Sequence, residues 1–511
     1  MSVSDNKKVA KNTLILYARM IITMVMGMWT SRIVLNALGF TDQGLYNVVG
    51  GVIGFSSLIT SSMSGSITRF ITFEIGRGNL EKVNKAVQNG ITVQWLLSAI
   101  VLLVGETLGL WFVNTQLVVP SDRIVAVNWV YQFALFNVII SLISSAPNAL
   151  ILAHEKMNVY AGTAIFSSVA SLLIALAIVH SPMDRLILYS FLHFISALCV
   201  RIFYTVYLKW QFPYIKMKFS FDKQFFMPIF SFAGWDGIGT WAGILRGSGT
   251  SVLLNIFGGP IANTIGGIAG SVNVIATMFV GDFTTSYAPQ IIKRYAAGEY
   301  SSLVKFINQC SKISYSLIAV MAVPVIFNVN PLLTLWLKEI PKGVGPFAIL
   351  CIIFSMLEGL YRPLINAKCA TGEIRNYQIV VGGIMMLTLP ITYGFLKLGF
   401  PIYFSYVSIL ITTIAAFIAR IVMLQGSIPT WSSWRYVTNT VFPCIMATLI
   451  SLVIPAAMSF YLPKSPVSVI AQCVVGSIWT GSCLFLIAMS KSEKEAVINI
   501  VRQKFRISTR K

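Results

Sequence analysis

Charged residues are scarce in this chain. Only 11% of its 511 residues are Asp, Glu, Lys or Arg, whereas 56% are hydrophobic and the mean hydropathy is +0.77. This composition lies far outside the range of soluble domains, so it excludes a soluble enzyme or a soluble binding module. The sequence therefore predicts an integral membrane protein.

Acidic residues are the scarcest of the charged types. The chain has 17 Asp and Glu against 38 Lys and Arg, which gives a formal net charge of +21. The basic residues come in short clusters between long apolar runs, as juxtamembrane charges do, and they form no basic and aromatic surface for DNA or RNA. We therefore expect no nucleic-acid partner.

Residues that hold metals or nucleotides are also few. The three histidines show no metal-ligand spacing, and the seven cysteines form no Cys-x-x-Cys pair. The chain has no phosphate-binding loop of the Walker type and no large outer loop of the kind that an enzyme acting on lipid-linked sugars needs. We expect neither an enzyme nor a bound cofactor, and coupling to protons or Na⁺ stays open.

Apolar runs long enough to cross a bilayer recur along the whole chain. A helix needs roughly 20 residues to cross the hydrocarbon core, and it satisfies its own backbone polar groups. Counting such runs between charge clusters and turn signals predicts fourteen membrane helices, at residues 13–38, 44–68, 86–113, 124–149, 160–180, 185–208, 228–256, 262–290, 306–328, 345–367, 376–397, 401–424, 437–460 and 467–489. The predicted fold class is an all-α polytopic membrane protein, similar in layout to a pair of helix bundles.

The distribution of Lys and Arg predicts the orientation. These residues concentrate on the side that holds both termini, and cytoplasmic loops carry the excess of positive charge. Both termini are therefore expected in the cytoplasm, in agreement with an even number of helices. The first apolar run lacks a small-residue cleavage site, so it is expected to be a retained span.

Two short phrases, VLNALG at residues 34–39 and LLNIFG at residues 253–258, are almost the same. Each is followed by paired glycines (VVGGVIG and TIGGIAG) and then by a polar helix end and a basic loop. Six predicted helices separate the phrases, so the halves enter the membrane in the same direction, as parallel repeats do; a chance match is the alternative. The predicted division is a cytoplasmic N-terminus at 1–12, six-helix bundles at 13–210 and 228–424, a linker at 211–227, helices 13 and 14 at 437–489 and a basic tail at 490–511.

Charged side chains inside the predicted spans are candidates for function, since each costs about 2.5 to 3.5 kcal/mol at the centre of a helix. Cations outnumber acids, and those near a helix end can also reach the headgroups by snorkelling. The candidate cavity cations are Arg19, Arg32, Arg201, Arg246 and Arg362. The candidate coupling or pairing acids are Asp236, Asp282 and Glu358.

Depth and spacing separate these candidates. Arg246 lies near the middle of its helix and is expected to line a polar cavity, whereas Lys312 is expected to snorkel. Glu358 and Arg362 are four residues apart and are expected to pair on one helix face, either structurally or as part of a binding site.

Neutral polar and aromatic residues complete the candidate cavity lining. Asn36 and Asn255, within the repeated phrases, are expected to cap helix ends or to bond between helices. The hydroxyl-rich segment 56–70, together with Trp235 and Trp241, could form a wetted wall for sugars; helix packing and an interfacial aromatic belt are the alternatives.

The opening NTLILYARM, the phrase SRIVLNALGFTDQGLYNVVGG, the loop GRGNLEKVNKA and the twofold six-helix plan resemble the polysaccharide transporters and O-antigen flippases of the multidrug/oligosaccharidyl-lipid/polysaccharide (MOP, MATE-like) exporter superfamily. The resemblance covers essentially the whole chain. It implies a flippase that moves an undecaprenyl-pyrophosphate-linked oligosaccharide of O-antigen, capsule or exopolysaccharide to the outer leaflet of a bacterial inner membrane. The implied partners are this lipid-linked substrate, the bilayer and polysaccharide polymerase machinery, and we expect a monomer.

Cations in the cytoplasmic half of the cavity suit capture of a pyrophosphate, to which Arg binds bidentately. The drug exporters of the superfamily typically rely on cavity carboxylates, so a MATE-type drug/cation antiporter is the alternative that Asp236 and Glu358 keep open. A membrane glycan polymerase or ligase is a weaker third alternative.

Overall fold

The computed structural model describes residues 3–495, apart from residues 55, 116, 118, 217, 338–340, 342 and 492. Side chains are not described at residues 3–8, 40, 48, 51–54, 56–59, 260 and 263. Most of the predicted basic tail lies outside the described residues. Within the described residues the regular structure is helical throughout, which confirms the all-α fold class.

The chain forms two compact units. The N-terminal unit comprises Lys11–Thr240, and the C-terminal unit comprises Trp241–Lys511 together with Met1–Ala10. The helices up to the unit boundary are α1 (Val3–Gly54), α2 (Ser56–Gly76), α3 (Leu80–Val104), α4 (Leu110–Thr115), α5 (Ile124–Ala153), α6 (Met157–Val179), α7 (Arg185–Gln211) and the start of α8 (Lys223–Ala296).

The C-terminal unit continues with ten further helices. They are α9 (Tyr300–Phe327), α10 (Val329–Leu337), α11 (Val344–Thr371), α12 (Arg375–Met386), α13 (Thr388–Lys397), α14 (Phe404–Gln425), α15 (Ser433–Tyr436), α16 (Phe442–Ser451), α17 (Val453–Tyr461) and α18 (Pro466–Cys483). The predicted boundaries of the two six-helix bundles stay predictions.

Twelve helical segments of the described chain are long and apolar enough to cross a membrane. The fourteen predicted spans include two more, at 44–68 and 228–256, so the count of fourteen is not confirmed. Both of these segments are helical where they are described. Both are rich in Ser, Thr and Gly, and the second also carries Asp236 and Arg246, which makes them more polar than an ordinary lipid-facing helix. Residue 55, within the first, lies outside the described residues.

In both units the repeated phrase lies at a helix kink that is formed by a glycine. Helix α1 is kinked at Gly39, with φ 75° and ψ 175°, and α8 is kinked at Gly259, with φ 66° and ψ −168°. Positive φ of this kind costs a residue with a Cβ atom but is freely adopted by glycine. The repetition therefore encodes a kink between consecutive helices, and the second phrase places its kink one residue beyond Gly258.

A second glycine recurs at the same offset along the chain. Gly78 (φ 71°) lies two residues after the end of α2, and Gly298 (φ 74°) lies two residues after the end of α8. In each case the next N–H, of Asn79 or Glu299, donates to a carbonyl five residues back, at 3.2 and 3.0 Å. This is a Schellman-type cap, which satisfies the last carbonyls of a helix. The two units thus share a helix, a glycine kink, a second helix and a capped turn.

The segment that follows α7 is held along α3 by side-chain bonds to its backbone. Asn84 Nδ2 donates to the Tyr214 carbonyl at 2.9 Å, and Thr92 Oγ1 donates to the Ser220 carbonyl at 2.8 Å. The backbone N–H of Asp222 donates to Asn89 Oδ1 at 2.8 Å. These polar side chains recur on one face of α3, so an irregular segment gains the hydrogen bonds that its backbone requires.

Arg123 joins three separate segments of the N-terminal unit. Its Nε donates to Asp42 Oδ1 at 2.9 Å, and its Nη1 donates to Asp184 Oδ2 at 2.6 Å. The other carboxylate oxygen of Asp184 accepts from the backbone N–H groups of Leu186 and Ile187 and caps α7. One guanidinium therefore ties the chain after the Gly39 kink to the starts of α5 and α7.

These contacts also affect the titration of Asp184. Partial burial by itself raises the pKa of this carboxyl, but the Ile187 N–H, the Arg123 guanidinium and the Leu186 N–H outweigh burial and hold the pKa below its ordinary value of 3.8. A carboxyl whose pKa is lower in the folded state stabilises the fold above its unfolded pKa. That contribution is lost as the pH falls through the folded pKa.

We expect Arg123→Met to destabilise the purified protein in detergent by about 2 kcal/mol near neutral pH, because two carboxylates lose charge-assisted hydrogen bonds. The difference from wild type should begin to shrink as the pH falls below about 4, the ordinary pKa of the carboxyl, and should be lost once the pH falls through the lower pKa of Asp184 in the folded wild type. Thermal unfolding followed at both pH values measures it, with the exposed Arg435→Met as control. An equal loss at both pH values would contradict the ion-pair interpretation.

Candidate functional site

Helices α11 and α14 of the C-terminal unit pack against each other, and their facing sides carry charged and aromatic residues. Phe354, Glu358 and Tyr361 recur every three or four residues along α11, and Phe417 and Arg420 do so along α14. This spacing places each set on one helix face. The rings of Tyr361 and Phe417 lie 6.3 Å apart, so these faces are in contact.

The predicted pairing of Glu358 with Arg362 is present in the structure. Nε and Nη2 of Arg362 both donate to Glu358 Oε1, at 3.0 and 2.6 Å. The Arg362 side chain is 32% exposed and the Glu358 side chain 13% exposed, so the carboxylate is the more deeply buried partner. The pair leaves part of the guanidinium open to a further ligand.

Arg420 belongs to the same group, although it is not among the candidate cavity cations predicted from the sequence. It is 5% exposed, its guanidinium carbon lies 4.4 Å from the centre of the Tyr361 ring, and its Nε donates to the Tyr377 hydroxyl at 3.1 Å. The available signal was its position four residues inside the end of the predicted span 401–424. Arg362 lies at a similar depth inside the end of its own predicted span, so the criterion that selected Arg362 would also have selected Arg420.

Arg246 reaches this group from α8. Its guanidinium carbon is 5.4 Å from the centre of the Phe354 ring, and its Nη1 donates to Thr413 Oγ1 at 3.4 Å. Within the described residues this is the only hydrogen bond from its side chain, although a guanidinium has five N–H donors. Arg246 is thus half-buried, inside a predicted span, and able to bind an acceptor.

These four residues, Arg246, Glu358, Arg362 and Arg420, form what we call the cationic cluster. Arg420 contacts the Tyr361 ring, Arg362 binds Glu358 on the same helix, and Arg246 contacts Phe354 one turn before Glu358. The cluster contains three guanidinium groups and one carboxylate, which Arg362 already binds, so it keeps positive charge that an added anion can neutralise. A separate cavity of about 230 Å³ in the same unit is lined by no charged residue and has no such capacity.

A glycine next to Glu358 allows the helices to approach. A Cβ atom on Gly359 would lie 2.9 Å from the backbone nitrogen of Tyr315 in α9, closer than real Cβ contacts come. Backbone atoms cannot move aside as a flexible side chain can. Gly359 therefore fixes how α11 packs on α9, and with it the position of the acid in the cluster.

The predicted cations of the N-terminal unit do not form a comparable group. Arg19 is half-buried, with its guanidinium carbon 5.1 Å from the centre of the Tyr160 ring. Arg201 is half-buried, and one of its buried nitrogens, Nη1, has no hydrogen-bond partner among the described residues. Arg32 is exposed. Their assignment to a cavity stays a prediction.

The predicted acids other than Glu358 lie elsewhere. Asp236, on the part of α8 in the N-terminal unit, is half-buried and faces Gly65 of α2, where a Cβ atom would lie 4.0 Å from its Oδ2. Asp282 is buried, with 7% of its surface exposed. The hydroxyl-rich helix supplies packing contacts at this point, since Ser66 Oγ donates to the Ile229 carbonyl at 2.8 Å.

The remaining cavity candidates are mostly exposed. Asn36 and Asn255 are both exposed in the last turns before the Gly39 and Gly259 kinks, and their capping role stays a prediction. Trp241 is 47% exposed and Trp235 is half-buried.

The expectation that Lys312 snorkels to the headgroups is wrong. Its side chain is 9% exposed, and its Nζ lies 3.2 Å from Glu493 Oε2. Glu493 also accepts from the Ser490 N–H at 2.7 Å. A buried ammonium needs a partner, and a carboxylate far along the chain supplies it here. Spacing within α9 carries no trace of this contact.

The fold is that of a known class of membrane transporter. A crystal structure of a MATE protein in a bent conformation matches with a TM-score of 0.73 at 12% identity, covering 84% of this chain and 96% of that one. A MOP superfamily transporter from Pyrococcus furiosus, described as having a binding pocket of reverse polarity that suggests a different function, matches with a TM-score of 0.70 at 11% identity, over 84% and 96% of the two chains.

Sequence comparison supplies the family. The model of the polysaccharide biosynthesis protein family matches residues 9–270, so the chain belongs to that family. It is also 18% identical to the uncharacterized membrane protein EpsK of Bacillus subtilis (strain 168) over 366 residues, which cover 70% of this chain and 71% of that protein. The chain is therefore a membrane protein of the polysaccharide biosynthesis protein family with a MATE-like fold.

We expect Glu358→Gln and Arg362→Gln each to destabilise the protein by about 3 kcal/mol, because each leaves a buried charge unpaired. The double variant should lose less than the two single losses combined, with a coupling energy of about 1 to 3 kcal/mol. A double-mutant cycle on thermal unfolding in detergent measures this coupling.

The matched control is the exposed pair Glu81 and Lys85, which has the same spacing on α3. Its coupling should be about 0.5 kcal/mol or less. Equal coupling in the two cycles would show that the Glu358 and Arg362 pair is no more buried from solvent than a surface pair.

Proposed function

We propose that this protein is a flippase that moves an undecaprenyl-pyrophosphate-linked oligosaccharide from the inner to the outer leaflet of a bacterial inner membrane. The proposal includes alternating access, termini in the cytoplasm, and delivery of the glycan to polymerase machinery outside. The observation that carries it is the cationic cluster, in which Arg246, Arg362 and Arg420 outnumber Glu358 inside membrane-spanning helices.

The chemistry of the cluster favours an anionic ligand. Charge is expensive inside a span, so an excess of cations there is retained only where a counter-charge or water reaches it. Guanidinium groups bind phosphate oxygens with paired, charge-assisted hydrogen bonds, and they stay protonated. A pyrophosphate carries the opposite charge on several acceptor oxygens and thus meets both requirements.

The comparisons support the class of substrate. Membership of the polysaccharide biosynthesis family favours a glycan, and the MATE-like fold favours translocation across the bilayer. The transporter from Pyrococcus furiosus is described as a protein whose pocket polarity is reversed and whose function differs. A cationic pocket in the present chain fits the same kind of departure from drug export.

The direct test is flipping in proteoliposomes that carry a short pyrophosphate-linked oligosaccharide. We expect the wild-type protein to expose the glycan to a lectin or periodate probe on the opposite side. Arg246→Gln should slow this exposure about tenfold, which corresponds to the loss of one charge-assisted contact of about 1.4 kcal/mol.

The exposed Arg435→Gln is the matched control, since it removes the same charge from a position outside the cluster. It should flip the substrate at the wild-type rate. A wild-type protein that leaves the glycan on its starting leaflet would overturn the proposal. Equal rates in wild type and Arg246→Gln would remove the cluster from the mechanism.

Export of organic cations is the second candidate, because the matching structures are MATE proteins. Such an antiporter depends on a carboxylate, and Asp236 is the acid that faces the hydroxyl-bearing helix α2. Asp236→Asn should then abolish transport of an organic cation such as ethidium, while Arg246→Gln should leave it intact. The flippase proposal expects the opposite order of sensitivity with the glycan substrate.

Coupling to an ion is a separate part of the proposal. An acid within a span can exchange a proton or Na⁺ during the cycle. We expect an imposed proton or Na⁺ gradient to raise the flipping rate of wild type but not of Asp236→Asn. A flipping rate that no gradient changes would show that product removal, and not ion exchange, drives the transfer.

A further inference from the structure

The N-terminal unit contains a second polar site that the cationic cluster does not explain. A cavity of about 340 Å³ lies between α1, α6 and the start of α7. Seven of the nine residues that line it carry a hydroxyl or amide group, and none of the nine is charged. Pockets for small ligands start at about this size.

The lining residues recur at helical spacing on each wall. Thr30 and Ser31 stand one turn beyond Gly27 on α1, and Ser168 and Ser171 stand one turn apart on α6. Tyr189 of α7 closes the third side. Ser and Thr are common where membrane helices pack closely against one another, but here they line an open cavity and not a packed contact.

Two polar atoms at this cavity lack partners. Thr30 is 8% exposed, and its Oγ1 has no hydrogen-bond partner among the described residues. The same holds for the buried Oε1 of Gln43, whose Nε2 donates to Asn47 Oδ1 at 3.3 Å. An unsatisfied buried polar group costs about 1 to 3 kcal/mol, so both atoms need a ligand or water in the cavity.

The wall mainly offers acceptors. The Ser31 and Ser168 hydroxyls donate to carbonyl oxygens of their own helices, at 3.0 and 3.1 Å, so only their lone pairs are free to face the cavity. The free amide oxygen of Gln43 is also an acceptor. A matching ligand must supply several neutral donors, as the hydroxyl groups of a sugar do. The nine lining residues include no cation that could bind an anion and no carboxylate that could bind an organic cation.

The cavity is also held in shape. The Tyr189 ring packs edge-on against Tyr46, with the ring centres 5.1 Å apart, and against His193, with the ring centres 4.6 Å apart. Asp42, the neighbour of Gln43, is bound by Arg123, which also binds Asp184 before α7. The groups that face the cavity are thus positioned before any ligand arrives, which lowers the cost of binding.

We infer that this hydroxyl pocket binds one uncharged sugar unit of the transported glycan. The inference rests on the proposed function, and it assigns the recognition of the glycan to the N-terminal unit and that of the pyrophosphate to the C-terminal unit. Its residues lie outside the hydroxyl-rich segment 56–70 that the sequence pointed to.

The first test measures binding of soluble neutral sugars to the full-length protein in detergent. Methyl glycosides of glucose, galactose and N-acetylglucosamine are the probes, and isothermal titration or saturation-transfer NMR is the readout. We expect at least one to bind with a Kd on the order of 1 mM. Thr30→Val should weaken this binding about fivefold, the effect of a hydrogen bond of about 1 kcal/mol.

Thr107→Val is the matched control, because the Thr107 hydroxyl is bonded to the Leu103 carbonyl at 2.7 Å away from the pocket. It should bind the sugars as wild type does. A wild-type protein that binds none of the three sugars, or a Thr30→Val protein that binds them unchanged, would show that the cavity holds only water and would overturn the inference.

The second test separates this inference from the proposed function. Flipping is compared for a glycan-bearing lipid pyrophosphate and for the bare lipid pyrophosphate. Thr30→Val should slow only the glycan-bearing substrate, whereas Arg246→Gln should slow both. Equal effects of Thr30→Val on the two substrates overturn the sugar pocket but leave the flippase standing. No flipping of either substrate by wild type overturns the flippase, and the sugar titration then decides the pocket by itself.

Discussion

Charge inside membrane-spanning helices is the constraint on which the rest of this structure depends. A guanidinium or ammonium group there requires a carboxylate, an aromatic face or a polar cavity. Lys312 meets this requirement with Glu493, whereas Arg246 has a single hydrogen bond to Thr413 within the described residues. The ion pair of Lys312 with Glu493 satisfies both charges within the protein, so its role is structural. The arrangement at Arg246 leaves donors free, and free donors at a costly position are what a binding site requires.

Glycines determine where the helices bend, end and approach one another, and so where these charged residues come together. The kinks at Gly39 and Gly259 interrupt the helix at equivalent points of the two units, and the capped turns at Gly78 and Gly298 repeat one helix later. Gly359 then permits α11 to approach α9 beside Glu358. Small changes of backbone direction are thus built into the sequence as glycines, and the charged residues are placed on the helices between them.

Two chemically different polar regions emerge, one in each unit. The cationic cluster is rich in donors and positive charge, and the hydroxyl pocket is neutral and rich in acceptors. A substrate that joins an anionic group to a neutral polyol carries both complementary chemistries in one molecule. Neither region has the carboxylate-dominated character that export of cations requires, since Glu358 is already bound by Arg362.

The sequence by itself determined the membrane class, the helical fold and the pairing of Glu358 with Arg362, because each depends on composition or on spacing within one helix; it showed the repeated phrases but not the kinks that they form. Only the tertiary structure placed Arg420 beside Tyr361, bound Lys312 to Glu493 and enclosed Thr30 among the serines of α6. These contacts join segments far apart in the chain. Periodicity shows which residues share a helix face, but the packing of whole helices decides which face meets which.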